Sequence, residues 1–212
     1  MSTQTAIVFL VDDDPAVLAG LERLLRGAGF TARGYLSPER FLEQHDPQAP
    51  GCAVFDLSMG GDVNGLELQR ILAARGDDRP VIFLTGQGDI PNSVQAMKAG
   101  AIDFLTKPVD DEVLLDAIRL ALEQDRRRRE TRHKNSDAEQ RLGKLTEREV
   151  EVLRHVIAGR LNKQIAAALG VAEKTVKVHR GRVMAKMGVR SVAELVRVTE
   201  QIGIAPLSAD SA

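Results

Sequence analysis

Cysteine is almost missing from this 212-residue sequence: Cys52 stands alone. That excludes an intramolecular disulfide framework and any cysteine-rich zinc site. No apolar run approaches the roughly 18 residues a membrane span needs. Met1 to Thr5 carry no basic stretch and no small-residue cleavage signal, so no secretory leader is expected. The expectation is a soluble cytoplasmic protein with no membrane among its partners. Tryptophan is absent, and aromatics make up only 3% of the chain. All six Phe and the one Tyr lie at or before Phe104. The later half therefore lacks the aromatic platforms on which single-stranded nucleic acids stack. If it binds nucleic acid, double-stranded DNA read by a helix is the better candidate.

Net charge is also small, at −1, but the two signs are separated along the chain. Residues 1–121 hold 10 Lys and Arg against 18 Asp and Glu, and residues 122–212 hold 19 against 12. An acidic half followed by a basic half suggests two domains, with a polyanion as one partner of the second. Chance surface charge is the plainer alternative. Hydrophobic residues make up 43% of the sequence, ample for packed cores.

The first half alternates short apolar runs with amphipathic stretches. Ala6–Val11, Thr31–Leu36, Cys52–Phe55, Val81–Thr85 and Ile102–Leu105 read as strands. Helical patterns separate them: Asp14 with Pro15 opens one, Ser37 with Pro38 a second, and Gly65 to Ala74 forms a third. Ile90 to Ala99 and Asp111 to about Glu123 complete the set. Strands alternating with helices imply a parallel sheet covered on both faces. The predicted fold is therefore an α/β, flavodoxin-like, doubly wound domain with five strands. A smaller all-α domain with a helix-turn-helix follows it. The expected boundaries are 1–122 for the first domain, 123–141 for a charged helical linker that frays, 142–205 for the second domain, and 206–212 for a disordered tail.

In such sheets, function gathers at the carboxyl ends of the strands. The first strand leaves Asp12, Asp13 and Asp14 there, the third Asp56, the fourth Thr85, and the fifth Lys107 before Pro108. Clustered carboxylates repel and call for a cation, and oxygen ligands favour Mg²⁺. A cation and Lys107 together neutralise a phosphoryl group in transfer, and an Asp carboxylate can be the nucleophile. Acidic residues at loop starts also serve as plain helix caps, and Asp14 is read that way. For the whole set that reading is weak, because four separate strand ends agree.

The segments Val11–Asp14, Phe55–Met59, Thr85–Pro91 and Ala96–Pro108 resemble the receiver domain of two-component response regulators. The likeness is to the FixJ branch of the NarL/FixJ group and spans residues 5–122. It implies that Asp56 accepts phosphate from a sensor histidine kinase. Asp13, Asp56 and the Ser58 carbonyl would ligate Mg²⁺, with Asp12 acting through water. Thr85 and Lys107 would bind the phosphoryl oxygens, and Phe104 stands where the family keeps its switch aromatic. One stretch departs from the pattern. The family has Met-Pro after the acceptor strand and a Gly eight residues beyond the Asp. Here Met59 is followed by Gly60-Gly61-Asp62-Val63-Asn64-Gly65, so the proline is absent and one residue is inserted.

In the second half, Thr146 to Glu149 and Ser191 to Glu194 have capping-box form. Asn162 is expected to cap a helix ending at Gly170, followed by a long helix from Glu173 to Met187. Lys174, Lys177, Val178, Gly181 and Arg182 share one face of that helix by spacing, while Val176, Val183 and Met187 lie opposite. A basic face ending in small residues suits a major groove, though a solvated face on a helical bundle has the same spacing. Leu145–Glu149, Asn162–Ala166 and Lys174–Arg180 resemble the LuxR-type output domain. That implies Lys177, Val178 and Gly181 facing bases, with Lys163, Thr175 and Arg182 contacting phosphates. It also implies promoter DNA as a partner, RNA polymerase as a further contact and a homodimer when phosphorylated; the helix from Ser191 to Ile202 is similar to the family's dimerisation helix. Phosphorylation would act by dimerisation, by release of the DNA-binding domain, or by both. His45, His133 and His155 read as isolated, His179 as structural, and Cys52 as a small buried hydrophobe. Two other readings compete: a phosphorylation-independent DNA-binding regulator, and a haloacid-dehalogenase-type phosphohydrolase with Asp12 as nucleophile. The second leaves Asp56 and the basic half without a role, and no enzymatic activity is expected.

Overall fold

The computed structural model describes residues 5–86 and 100–207. The helix expected over Ile90–Ala99, the motif residues from Gln87 to Ala99, and most of the expected tail lie outside the described residues. The chain divides into two compact units, Met1–Arg129 and Glu130–Ala212.

In the first unit, five parallel strands lie in the order β2-β1-β3-β4-β5. They are β1 Ile7–Val11, β2 Thr31–Tyr35, β3 Gly51–Asp56, β4 Val81–Thr85 and β5 Asp103–Thr106. Helices α1 Pro15–Gly27, α2 Pro38–Gln44 and α3 Gly65–Ala74 connect them, and α4 Asp111–Leu142 follows β5. The apolar runs of β1, β3 and β4 hide a period of two. Phe9, Val11, Phe55 and Phe83 enter one core with Phe41 and Leu72, while Val8, Leu10, Val54 and Leu84 enter the other with Leu25 and Ile118. Helices on both faces demand that every position of a central strand be apolar. The first core is aromatic: Phe9, Tyr35, Phe41, Phe55 and Phe83 form a connected series of ring contacts. Cys52 is fully buried in the second core, where burial pushes its thiol up to about 12.

β5 sits one residue later than its apolar run suggests, because the ladder pairs Thr85 with Thr106. The charged stretch 123–141 is helical, as its sequence suggested, but it does not fray: α4 runs unbroken to Leu142. Glu123 pairs with Arg126 and Arg127, and Asp125 with Arg129. Pairs three or four residues apart stabilise a helix without an apolar face.

A buried ionic cluster lies at the amino-terminal ends of the strands. Arg79 pairs with Asp77 at 2.7 Å, and its guanidinium lies over the Phe9 ring at 4.5 Å. His45 Nε2 lies 3.2 Å from Asp77 Oδ2, and its Nδ1 lies 2.7 Å from the Phe41 carbonyl. His45 is therefore not isolated, as its sequence context suggested; it completes this cluster. Nearby, Asp125 accepts from Gly51 N, and Arg129 donates to the Gln48 and Ala49 carbonyls. These bonds fix α4 to the loop that leads into β3.

The second unit contains α5 Glu147–Ile157, α6 Asn162–Leu169, α7 Glu173–Met187 and α8 Val192–Gln201. Val152, Leu153, Val156, Ile165, Val176, Val183, Met187 and Leu195 form its core. Thr146 and Glu149 make both bonds of a capping box. At Ser191 only half forms, since Glu194 accepts from Arg190 N instead. Asn162 is not a cap: it is the first residue of α6, Leu161 holds the cap position, and Gln164 accepts from Leu161 N at 2.8 Å. The Asn162 amide oxygen accepts from Arg180 on α7, at 3.0 Å.

Candidate functional site

The sheet order reverses direction beside β1, which has β2 on one side and β3 on the other. Such a switch point opens a crevice beyond the carboxyl ends of the strands. Register sets what meets there: Val11 pairs with Phe55, so Asp12 and Asp13 emerge beside Asp56, and Asp56 pairs with Leu84 next to Thr85.

Asp12 and Asp56 are 2% and 6% exposed, and Lys107 reaches between them. Its ammonium lies 2.7 Å from Asp12 Oδ2 and 2.6 Å from Asp56 Oδ1. Asp12 Oδ1 accepts from Asp14 N, and Asp56 Oδ2 from Ser58 N at 3.0 Å. Burial would pull the Lys107 pKa down, but the hydrogen bonds and charges of the two carboxylates outweigh it and hold it above the ordinary lysine value. Asp14 caps α1, accepting from Ala16 N and Val17 N, so its capping role holds.

Asp13 is exposed and turned elsewhere: its Oδ2 accepts from Gly60 N at 2.8 Å, in the inserted loop. Thr85 is buried, and its hydroxyl donates to the Gly86 carbonyl. Phe104 is half-buried, its ring tilted against Phe83 with centroids 6.4 Å apart. Gly65 begins α3 so close to β3 that a Cβ would sit 2.5 Å from the Asp56 carbonyl oxygen. The close approach explains why glycine occupies this place despite the longer loop.

Asp12, Asp13 and Asp56 bring three carboxylates to one rim, and oxygen donors of this kind would fit a hard cation. As the side chains stand, no three acidic groups are gathered to hold a metal ion among the described residues. Lys107 holds two of the carboxylates and Gly60 the third.

In the second unit, α6, the turn at Gly170 and α7 form a helix-turn-helix. Gly170 adopts a left-handed conformation, with φ of 64°. Lys174, Thr175, Lys177, Val178, Gly181 and Arg182 are all exposed along one side of α7, and Lys163 is exposed on α6. Val178 is 47% exposed, an apolar side chain left among cations. Ion pairs and hydrogen bonds fix the frame around this face. Lys186 binds Glu149 at 2.6 Å and the Lys144 carbonyl, Arg148 donates to the Leu169 carbonyl, and Arg180 donates to Asn162. Sequence reasoning missed this use of Arg180 and Glu149. A cation one turn from Val176 gave no signal that it faces α6, and Glu149 was already explained by its capping box.

Residues 8–119 match the family described as response regulator receiver domain, and residues 143–199 match the family described as bacterial regulatory proteins, luxR family. The chain is similar to response regulator protein TmoT of Ectopseudomonas mendocina, with 45% identity over 95% of this chain and 91% of the relative. It is also similar to transcriptional regulatory protein FixJ of Rhizobium meliloti (strain 1021), with 41% identity over 94% and 97%. Among solved structures, response regulator StyR superposes with a TM-score of 0.83 at 48% identity, covering 93% of this chain and 99% of that one. Full-length FixJ from B. japonicum superposes at 0.58 with 35% identity, covering 95% and 98%.

Proposed function

Because the chain belongs to the transcriptional response regulators that join a receiver domain to a LuxR-type DNA-binding domain, we propose that Asp56 is its phosphoacceptor and that the face of α7 reads promoter DNA. The observation that carries this reading is Lys107, whose ammonium touches Asp56 and Asp12 together in a largely buried pocket.

A sensor histidine kinase is the donor. The phosphorus–nitrogen bond of phosphohistidine breaks as an Asp56 oxygen bonds to phosphorus, and the departing imidazole takes up a proton. Asp13, Asp56 and the Ser58 carbonyl would hold Mg²⁺, with Asp12 acting through water. The cation supplies charge neutralisation at the transferring phosphoryl group. Lys107, now held by Asp12 and Asp56, would turn to a phosphoryl oxygen. Thr85 would give up the Gly86 carbonyl and donate to the phosphoryl group, and Phe104, already tilted against Phe83, would turn inward with it. The added charge thus becomes a change of surface near β5. The output is DNA binding by a homodimer reading two half-sites, with RNA polymerase as a further contact in the cytoplasm. Among the described residues, no helix is long and apolar enough to cross a membrane.

Lys177, Val178 and Gly181 face base edges, and Lys163, Lys174, Thr175 and Arg182 approach phosphates. Gly181 offers no side chain, so readout at its position relies on close approach. The phosphohydrolase alternative would need Asp12 as nucleophile. That reading leaves Asp56 and the basic face of α7 without a role.

The test is intact mass after incubation with acetyl phosphate and Mg²⁺, for wild type and Asp56→Asn. One phosphoryl adduct on wild type alone is the expected result. An adduct that survives in Asp56→Asn assigns the wrong aspartate. No adduct on folded, metal-loaded wild type turns the reading toward phosphorylation-independent regulation.

A further inference from the structure

The Gly60 amide donates to Asp13 Oδ2 at 2.8 Å, joining the inserted loop to the end of β1. The family pattern places proline directly after Met59, and proline has no N–H to give. The bond is therefore available because a residue other than proline follows Met59. It occupies the one carboxylate of the three that Lys107 leaves free. Asp13 and Gly60 are both exposed, and among the described residues it is their bond that turns the carboxylate toward the loop.

We propose that Gly60 N–H is a latch on Asp13 that competes with the divalent cation, so that cation binding and release of the loop are one event. The proposal rests on reading the acidic rim as a Mg²⁺ site. Mg²⁺ demands near-ideal octahedral geometry and short bonds. A carboxylate shared with a backbone donor, and aimed at it, must turn before it can ligate. The hydrogen bond is charge-assisted, which strengthens it, while exposure to water limits its net value. The latch lowers cation affinity several-fold without removing an acidic ligand, and it makes the loop at Gly60 respond to the metal.

The test uses the full-length protein and Mg²⁺ alone. Calorimetric titration of wild type and Gly60→Pro is expected to give a Kd lower by about three- to tenfold in the variant, the worth of one solvent-exposed hydrogen bond to a charged group. In wild type, the solvent exchange rate of the Gly60 amide, followed by NMR, is expected to rise along the same Mg²⁺ isotherm. Unchanged or weaker affinity in a folded Gly60→Pro overturns the latch, as does a Gly60 amide that stays protected at saturating Mg²⁺; the bond would then be idle or would present Asp13 to the metal. If Gly60→Pro fails to fold, the wild-type exchange measurement decides alone. Absence of Mg²⁺ binding to both proteins overturns the reading of the rim as a cation site, and the latch with it. Equal binding by both overturns the latch only.

Discussion

The receiver unit contains two buried ionic clusters, at opposite ends of the same sheet, and they are built to different ends. At the amino-terminal ends of the strands, Arg79, Asp77 and His45 form a closed group: Arg79 and Asp77 side chains are 0% and 4% exposed, and aromatic rings cover the guanidinium. At the carboxyl ends, one ammonium faces Asp12 and Asp56, with Asp13 alongside, and Lys107 remains 28% exposed. The first cluster balances its charge and shuts out water. The second carries surplus negative charge and an opening to solvent. A closed ion pair holds a fold in one arrangement. An open, unbalanced one fits the proposed uptake of a cation and a phosphoryl group.

The sharpest way to break the comparison is to remove the cation from each cluster in turn. Arg79→Ala strands Asp77 in the core, and unfolding in urea is expected to show a loss of about 3–5 kcal/mol, as for other buried pairs deprived of one partner. The folded fraction should still form the acetyl-phosphate adduct. Lys107→Ala is expected to do the reverse, slowing adduct formation by about 10²- to 10³-fold, the cost of one preorganised charge at a reacting centre. Its effect on urea stability should be smaller than that of Arg79→Ala. Equal stability losses would mean that both clusters are structural.

The pH dependences should also run in opposite directions. Burial raises the Asp77 carboxyl, but its hydrogen bonds to His45 and Arg79 outweigh that and hold it below its ordinary value of 3.8. A carboxylate depressed in the folded state contributes stability that is present above the unfolded value and is lost as pH falls through the folded one. The stability gap between wild type and Asp77→Asn should therefore close on acidification below 3.8. Lys107 is raised above 10.5, so its contribution is present below that value and is lost as pH rises past it. The gap between wild type and Lys107→Ala should close on the alkaline side. A Lys107 gap that closes in acid at the same pH as the Asp77 gap would contradict the assignment.

The basic face of the second unit repeats the open pattern with the sign reversed, since Lys163, Lys174, Lys177 and Arg182 are all exposed. The smallest expected effect lies here. Lys163→Ala should weaken binding to specific and random duplexes alike and reduce the slope of log affinity against log salt by about 1, the signature of one phosphate contact. A loss confined to one DNA sequence would move Lys163 to the base-reading set.

The residues of the two clusters differ in how far the sequence announces them. Asp12, Asp13 and Asp56 follow uninterrupted apolar runs, and a parallel sheet must bring such strand ends to one rim. The basic face of α7 follows from helical spacing, because its partners in the core, Val176, Val183 and Met187, fall opposite it and are buried. Arg79 gave no such signal. An arginine after Asp77 and Asp78 reads as a solvated loop, and nothing local shows that Phe9 and Phe41, far away in the chain, will roof it. The length of α4 was legible in principle, since its acid–base pairs three and four residues apart lie in plain sequence. Asn162 misled because its amide oxygen accepts from Arg180 on α7, a partner that no local pattern announces, while Leu161, itself exposed, takes the cap position.

The sequence by itself determined the alternation of strands and helices, the rim where the acids gather, and the face of α7 that stays wet. These follow from periodicity and from the rule that parallel strands share one carboxyl edge. Only the tertiary structure decided that Lys107 spans Asp12 and Asp56, that Gly60 holds Asp13, and that Arg79 is sealed against Asp77 and His45. Lys107 and Gly60 reach partners far along the chain, and Arg79, though only two residues from Asp77, is sealed by His45, Phe9 and Phe41 brought from far away; strand register and loop length acting together fix these meetings, which no local pattern encodes.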